Sequence, residues 1–282
     1  MSERLHKLLA QHGLGSRREI EKWILEGRVR LNNQPAQTGD RYNPGDRVSI
    51  DGKDVSSRLQ FFAAPKVILY HKPQGQPITA TATDEDGEVA GKSVMESLPS
   101  LRGSRWLMVN TMQAGDSGLM LLTSDGRLAD ALRRRAETTP AAYVARVLVP
   151  FAEFDVESIP RVVQYDEETV EFEKIEPAGG EGTNRWFRVE SHRAHRRAAV
   201  RALFESRGLK VSRVMQVQFG DFELPRDLPR NKHRELTENE VEALYASVEL
   251  ALPTPPAKPE STRPQRPARR PAPDRRKKPK RR

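Results

Sequence analysis

Five cations, Arg17, Arg18, Lys22, Arg28 and Arg30, fall within fourteen residues near the start of the chain. On one face of a small unit, such a cluster suits contact with nucleic-acid phosphates, and the alternative is an ordinary solvated face. The other chemical candidates are sparser. With Cys 0 the chain has no thiolate nucleophile, no zinc ribbon and no disulfide framework, which fits a reducing cytoplasm. His192 and His195 share a helical spacing, but no carboxylate stands at ligand spacing, so RNA contact is the stronger reading and metal binding the weaker. Gly179-Gly180-Glu181-Gly182 lacks a following Lys-Ser or Lys-Thr and reads as a tight turn rather than a phosphate loop. Asp116 and Asp125, the latter before Gly126, read as turn or loop-capping residues. Trp106, Tyr143 and Trp186 could stack on bases, although strand aromatics are more often core.

These residues need elements to hold them. The chain has 282 residues, enough for one large domain or two smaller ones with cores of their own. Its net charge of +9 is unevenly placed, because residues 253–282 hold 12 Lys+Arg, 2 Asp+Glu and nine prolines, leaving the rest nearly neutral. That segment has almost no large apolar side chain to offset its ordering entropy, so a disordered basic tail over 251–282 is expected, binding phosphates or merely solubilising. Met1-Ser2-Glu3-Arg4 leads into charged residues and no apolar run nears the roughly 18 that a span needs, so neither secretion nor membrane insertion is expected.

Residues 1–60 read as one unit. Leu5, Leu8 and Leu9 share a helical face that ends at Gly13 and Gly15, and Ser16 with Glu19 forms a capping box for a second helix. That helix should bury Ile20, Trp23 and Ile24, turn Arg17, Arg18 and Lys22 outward, and stop at Gly27. Arg28 to Leu31 alternates as a strand, and Val48 and Ile50 lead into Asp51-Gly52, a tight-hairpin signal. From residue 61 to 250 strands outnumber helices: Val67 to Tyr70, Leu119 to Leu122, Tyr143 to Val149, Thr169 to Phe172, Trp186 to Val189 and Met215 to Phe219. Helices are expected from Leu128 and over Arg196 to Phe204. The irregular order favours α+β over a doubly wound sheet.

Leu5 to Val55, with Gly13-Leu14-Gly15-Ser16-Arg17-Arg18, Gly27-Arg28-Val29 and Gly45-Asp46, resembles the alpha-L RNA-binding motif. The resemblance implies that Arg17, Arg18, Lys22, Arg28 and Arg30 grip structured RNA. Lys72-Pro73-Gln74-Gly75, Gly118-Leu119, Leu122 to Gly126, Gly179 to Gly182, Val211-Ser212-Arg213, Gly220-Asp221, Leu224-Pro225 and Leu228-Pro229-Arg230 resemble landmarks of the ribosomal RNA pseudouridine synthases. This implies a mixed, mostly antiparallel sheet, large-subunit ribosomal RNA as partner, a monomer, no cofactor and no metal.

In that family an aspartate, in a stretch of the type Gly-Arg-Leu-Asp, attacks sugar or base after the nucleotide is flipped out. Anchored on Arg105-Trp106 and Ser117-Gly118-Leu119, this stretch falls on Asn110-Thr111-Met112-Gln113, so glutamine takes the nucleophile position. A neutral amide is a poor nucleophile, and its loss implies a rate lower by several orders of magnitude. The arginine two residues earlier is Thr111, and the basic residue two before the active-site tyrosine, Tyr143, is Ala141. The motif of the type Asn-Arg-x-Val-Arg-Arg reads Arg197 to Ala202, keeping Arg201 as carboxylate or phosphate partner and losing arginines at Ala198 and Ala202. Asp116, three residues past Gln113, is the substitute acid to weigh, against the geometric penalty of its shift. Two functions result: RNA binding with impaired catalysis, or an active isomerase with an unusual acid.

Overall fold

Ser16 accepts a hydrogen bond from the Glu19 amide while the Glu19 carboxylate accepts one from the Ser16 amide, closing the anticipated capping box. A computed structural model describes residues 3–59, 64–79, 91–150, 155–193 and 197–254, and the basic tail from residue 255 onward, His195 and Arg196 lie outside them. The first helix, α1 (Leu5–Gln11), packs on α2 (Arg17–Leu25). Leu5, Leu9, Ile20 and Ile24 are buried with Val29 and Val48 from the strands β1 (Val29–Leu31) and β2 (Val48–Ile50). Asp51 and Gly52 both take positive φ, at 49° and 76°, to turn β2 into β3 (Lys53–Asp54). Such values match the two-residue hairpin that the dipeptide signals. Trp23, expected to be buried, packs on this core only in part, and the Arg28 guanidinium lies over its ring at 5.2 Å from the centroid.

The larger part is one mixed sheet with helices. Its chain order is β4 (Val67–Lys72), β5 (Ser117–Thr123), α3 (Gly126–Arg134), β6 (Ala141–Leu148), β7 (Lys174–Glu181), β8 (Asn184–Ser191), α4 (Arg197–Glu205), β9 (Lys210–Phe219), β10 (His233–Glu235) and α5 (Glu238–Ser247). The spatial order is β7-β8-β6-β9-β5-β4-β10, and β9 with β5 is the parallel pair on this path. The α+β class and the mixed, mostly antiparallel sheet therefore hold. Every residue of β5 is buried, as a central strand covered on both faces requires. Leu119 and Leu121 join the core under α3, α4 and α5, while Met120 and Leu122 pack with Ile68, Tyr70, Val94 and Trp106 on the opposite face. Burying a leucine of this kind is worth about 1.5–3 kcal/mol.

Three elements of this order escaped the sequence reading. β7 includes Gly179 to Glu181, which the sequence suggested as a tight turn, β10 pairs with β4, and α5 begins at a Thr237–Glu240 capping box whose spacing was visible in the sequence. The strand expected at Thr169 to Phe172 is Glu168–Glu171, in a hairpin off the main sheet. Gly118 sits where β5 meets β9, with φ +113°, and a Cβ there would lie 2.0 Å from the Gln216 carbonyl oxygen. Only glycine allows this approach.

Candidate functional site

The loop before β5 is pinned from below and left open above. The amide Nδ2 of buried Asn110 donates to the Leu119 carbonyl at 2.8 Å and to Gln216 Oε1 at 3.0 Å, and its Oδ1 accepts from the Leu121 amide at 2.8 Å. Met112 is buried in the apolar cluster of Tyr70 and Trp106. Between these anchors and β5, Gln113, Ala114 and Gly115 stay exposed. The turn closes on itself, because the Gln113 amide donates to Asp116 Oδ2 at 2.7 Å and the Asp116 amide donates to the Gln113 carbonyl at 3.1 Å.

Lys72 supports this turn from the end of β4. Its Nζ donates to the carbonyls of Ala114 at 2.9 Å, Asp116 at 2.8 Å and Pro73 at 3.2 Å. The side chain is fully buried, and desolvation pushes its pKa down to about 8, with nearby Asp116 opposing and Arg197 assisting that shift. The Gly75 amide also donates a hydrogen bond to the Ala114 carbonyl at 2.9 Å, so the Lys72-Pro73-Gln74-Gly75 segment holds the site loop directly.

Arg197, the first residue of α4, holds the loop from the other side. Its guanidinium is ion-paired with Asp116, and it also donates to Gln216 Oε1 at 3.3 Å and to the Thr111 carbonyl at 3.4 Å. The pair is mostly enclosed, the two side chains being 14% and 27% exposed. Asn110, Thr111, Asp116, Arg197 and Gln216 thus form one polar network at the β5–β9 junction.

The residues expected at a site divide as follows. Gln113 and Asp116 share the loop turn, with Asp116 capping it and Gln113 presenting its side chain outward. Tyr143 is fully buried on β6, where its register partners are Gln216 on β9 and Val189 on β8. Arg201 does not join them: it donates to the Val211 carbonyl at 2.6 Å and pairs with Glu205 at 3.6 Å. The carboxylate partner is Arg197, one helical turn earlier. Sequence reasoning passed over it because the resemblance puts asparagine there, although an i, i+4 arginine pair was the available signal. Lys72, Asn110 and Gln216 were also missed as site residues. Ala141 is 2% exposed within the main core, where a lysine would have no water to reach.

The weaker candidates keep structural roles. Asp125 caps α3 through the Arg127 amide and accepts from the Tyr245 hydroxyl at 2.7 Å. Gly180 lies against the Asn184 carbonyl in the β7–β8 hairpin, where a Cβ would come within 2.4 Å. Trp106 is core, its Nε1 donating to the Pro99 carbonyl, and Trp186 is half-buried. His192 lies 2.5 Å from a Glu173 carboxylate oxygen, and no group of three or more metal-binding side chains occurs among the described residues. No helix among the described residues is long and apolar enough to cross a membrane.

On the basic face, three of the five cations have acidic partners. Arg28 makes two 2.7 Å bonds to the Asp51 carboxylate and a third contact to Glu26, and those bonds pull the Asp51 pKa down. Lys22 pairs with Glu26 at 3.8 Å and Arg17 with Asp130 of α3 at 3.4 Å. Arg18 and Arg30 are exposed without an ion pair among the described residues.

Comparison with known proteins gives a consistent picture. Residues 3–48 match the S4 domain, and residues 66–217 match the RNA pseudouridylate synthase family. A "Ribosomal large subunit pseudouridine synthase B" of Xanthomonas campestris is 39% identical over 256 residues, covering 89% of this chain and 50% of that protein. The protein of that name from Escherichia coli (strain K12) is 37% identical over 252 residues, covering 89% of this chain and 84% of its own length. The chain thus spans about half the length of the Xanthomonas relative. A solved structure titled "Crystal structure of pseudouridylate synthase" superposes with TM-score 0.51 at 18% identity, over 86% of this chain and 99% of the other, which supports the fold.

Proposed function

The chain belongs to the RNA pseudouridylate synthase family, and from that membership we propose that it is an RNA-binding member with impaired catalysis, its partner being large-subunit ribosomal RNA. It acts as a monomer in the cytoplasm, with an RNA-binding unit at 1–60, a synthase-type unit at 61–250 and a basic tail at 251–282. The observation that carries the reading is Gln113: an amide occupies the position where the family resemblance expects the attacking carboxylate, on an exposed turn supported by Lys72. Isomerising a uridine requires cleavage of its glycosidic bond, and a neutral amide supplies neither a nucleophile nor a general base. Asp116, the acid on the same turn, spends its carboxylate on the Gln113 amide and on Arg197.

Pseudouridine mapping across ribosomal RNA, with and without the gene, tests this. The expected outcome is an unchanged map together with retained binding of the protein to ribosomal RNA fragments. A uridine that loses modification on deletion, and regains it with the wild-type chain, would refute impairment.

The Asp116–Arg197 pair favours a second reading, an active isomerase of large-subunit ribosomal RNA using Asp116 as its acid. An aspartate held by an arginine at a sheet junction is oriented, as a nucleophile must be. The names carried by the relatives agree with an active enzyme. Single-turnover isomerisation by the wild-type chain, abolished in Asp116→Ala, would select it.

A further inference from the structure

A groove of about 480 Å³ separates α1 and α2 from α3 and the 104–107 segment. Lys7, Arg17, Arg18, Arg105 and Arg133 line it from both sides, and Asp130 is the acid in its lining. Asp130 sits between two of these cations, 3.4 Å from Arg17 and 3.4 Å from Arg133. Arg105 is half-buried, and its Nε has no hydrogen-bond partner. Burial and the charge of Arg17 lower the Arg105 pKa, while Glu19 opposes them. The first turns of α2 and α3 also border the groove, adding partial positive charge. The two walls touch, since a Cβ on Gly13 would lie 3.0 Å from the Ser104 carbonyl oxygen.

We infer that this groove is a binding site for the RNA phosphate backbone, in which the Asp130 carboxylate occupies the place of a phosphate between Arg17 and Arg133. The inference rests on the RNA-binding reading above and extends it beyond the predicted basic face to Lys7, Arg105 and Arg133. Lys7 is paired with Glu3 at 3.1 Å, but Arg17, Arg18, Arg105 and Arg133 share Asp130 and the more distant Glu19, so the opposed walls repel one another unless an anion enters. An entering phosphodiester would displace Asp130 from the two guanidiniums and come close to the positive charge of Arg105 in the groove wall. Charge-assisted bonds from arginine to phosphate are bidentate and strong, so that exchange is favourable. Because the walls come from two units, bound RNA would also tie α2 to α3.

The test is salt-dependent binding of a fluorescein-labelled RNA hairpin to the full-length chain. Asp130→Asn frees two guanidiniums without opening the core and should tighten binding several-fold at low salt, with a steeper salt slope. Arg105→Gln with Arg133→Gln should weaken binding by about tenfold and flatten the slope by about two phosphate contacts. Arg30→Glu, outside the groove, reports on the basic face alone. If it weakens binding while Asp130→Asn and the double variant leave Kd and slope unchanged, the groove assignment is wrong and the RNA-binding reading stands. Absence of RNA binding by the wild-type chain overturns both. Thermal melts confirm that each variant is folded.

Discussion

The Arg197 guanidinium lies directly on the Asp116 carboxylate, joining the first turn of α4 to the loop before β5. Three groups anchor the arginine, namely Asp116, Gln216 and the Thr111 carbonyl, and little of it reaches solvent. The contact fixes the site loop and commits its acid at the same time.

Breaking that pair should be costly in proportion to its enclosure. Asp116→Ala leaves a mostly buried guanidinium without its counter-charge, for which fully buried pairs lose about 3–5 kcal/mol, so with partial exposure about 1–3 kcal/mol is expected. Chemical denaturation of Asp116→Ala, Arg197→Ala and the double variant should give a coupling energy above about 0.5 kcal/mol. Strict additivity would show that the two side chains are not a working pair.

Restoring an acid at 113 should not restore chemistry alone. Gln113→Asp would lack the arginine expected at Thr111, and Arg197 would remain engaged with Asp116. Thr111 is exposed and can accept arginine, whereas Ala141→Lys would bury a charge in the core and unfold the sheet. Single-turnover isomerisation of a ribosomal RNA fragment should therefore stay near background in Gln113→Asp and rise in Gln113→Asp with Thr111→Arg. Substantial turnover from Gln113→Asp alone would contradict this.

Lys72 gives the site a pH dependence of known sign. Its pKa in the folded chain is about 8, below the ordinary lysine value of about 10.5, because burial disfavours the charged form. The unfolded chain then binds more protons between these values, so this residue's contribution to stability rises as pH increases from about 8 to 10.5 and is at its minimum below 8. The whole effect is at most about 3 kcal/mol. Comparing wild type with Lys72→Met by thermal unfolding across that range should show the wild type gaining relative to the variant. A constant difference would mean that Lys72 is not desolvated.

Gly118→Ala should disrupt the parallel step of the sheet. The added Cβ would sit 2.0 Å from the Gln216 oxygen at a φ of +113°, and neither strand can withdraw without breaking its own pairing. A loss of about 3 kcal/mol or more is expected by urea denaturation, from combined clash and backbone strain. A loss below about 1 kcal/mol would mean that β5 and β9 are not so close.

Local signals determined the parts of this protein that depend on neighbours in sequence. The Ser16–Glu19 box, the Asp51-Gly52 hairpin, the α2 face of Ile20 and Ile24 and the apolar β5 all act within a few residues, so periodicity and capping rules reach them. The substitution at Gln113 was legible for the same reason, since the family motif is contiguous there. Contacts between distant segments were not. The family motif pointed to Arg201, whereas Arg197 pairs with Asp116, because the choice depends on how α4 is rotated against β9 and the loop, a consequence of long-range packing. Nor could composition reveal that Arg28 spends its charge on Asp51 and Glu26, or that Asp130 stands between Arg17 and Arg133. Charge counts give the field of a surface, but which charges cancel depends on separations of a few ångströms, and only the tertiary fold sets those.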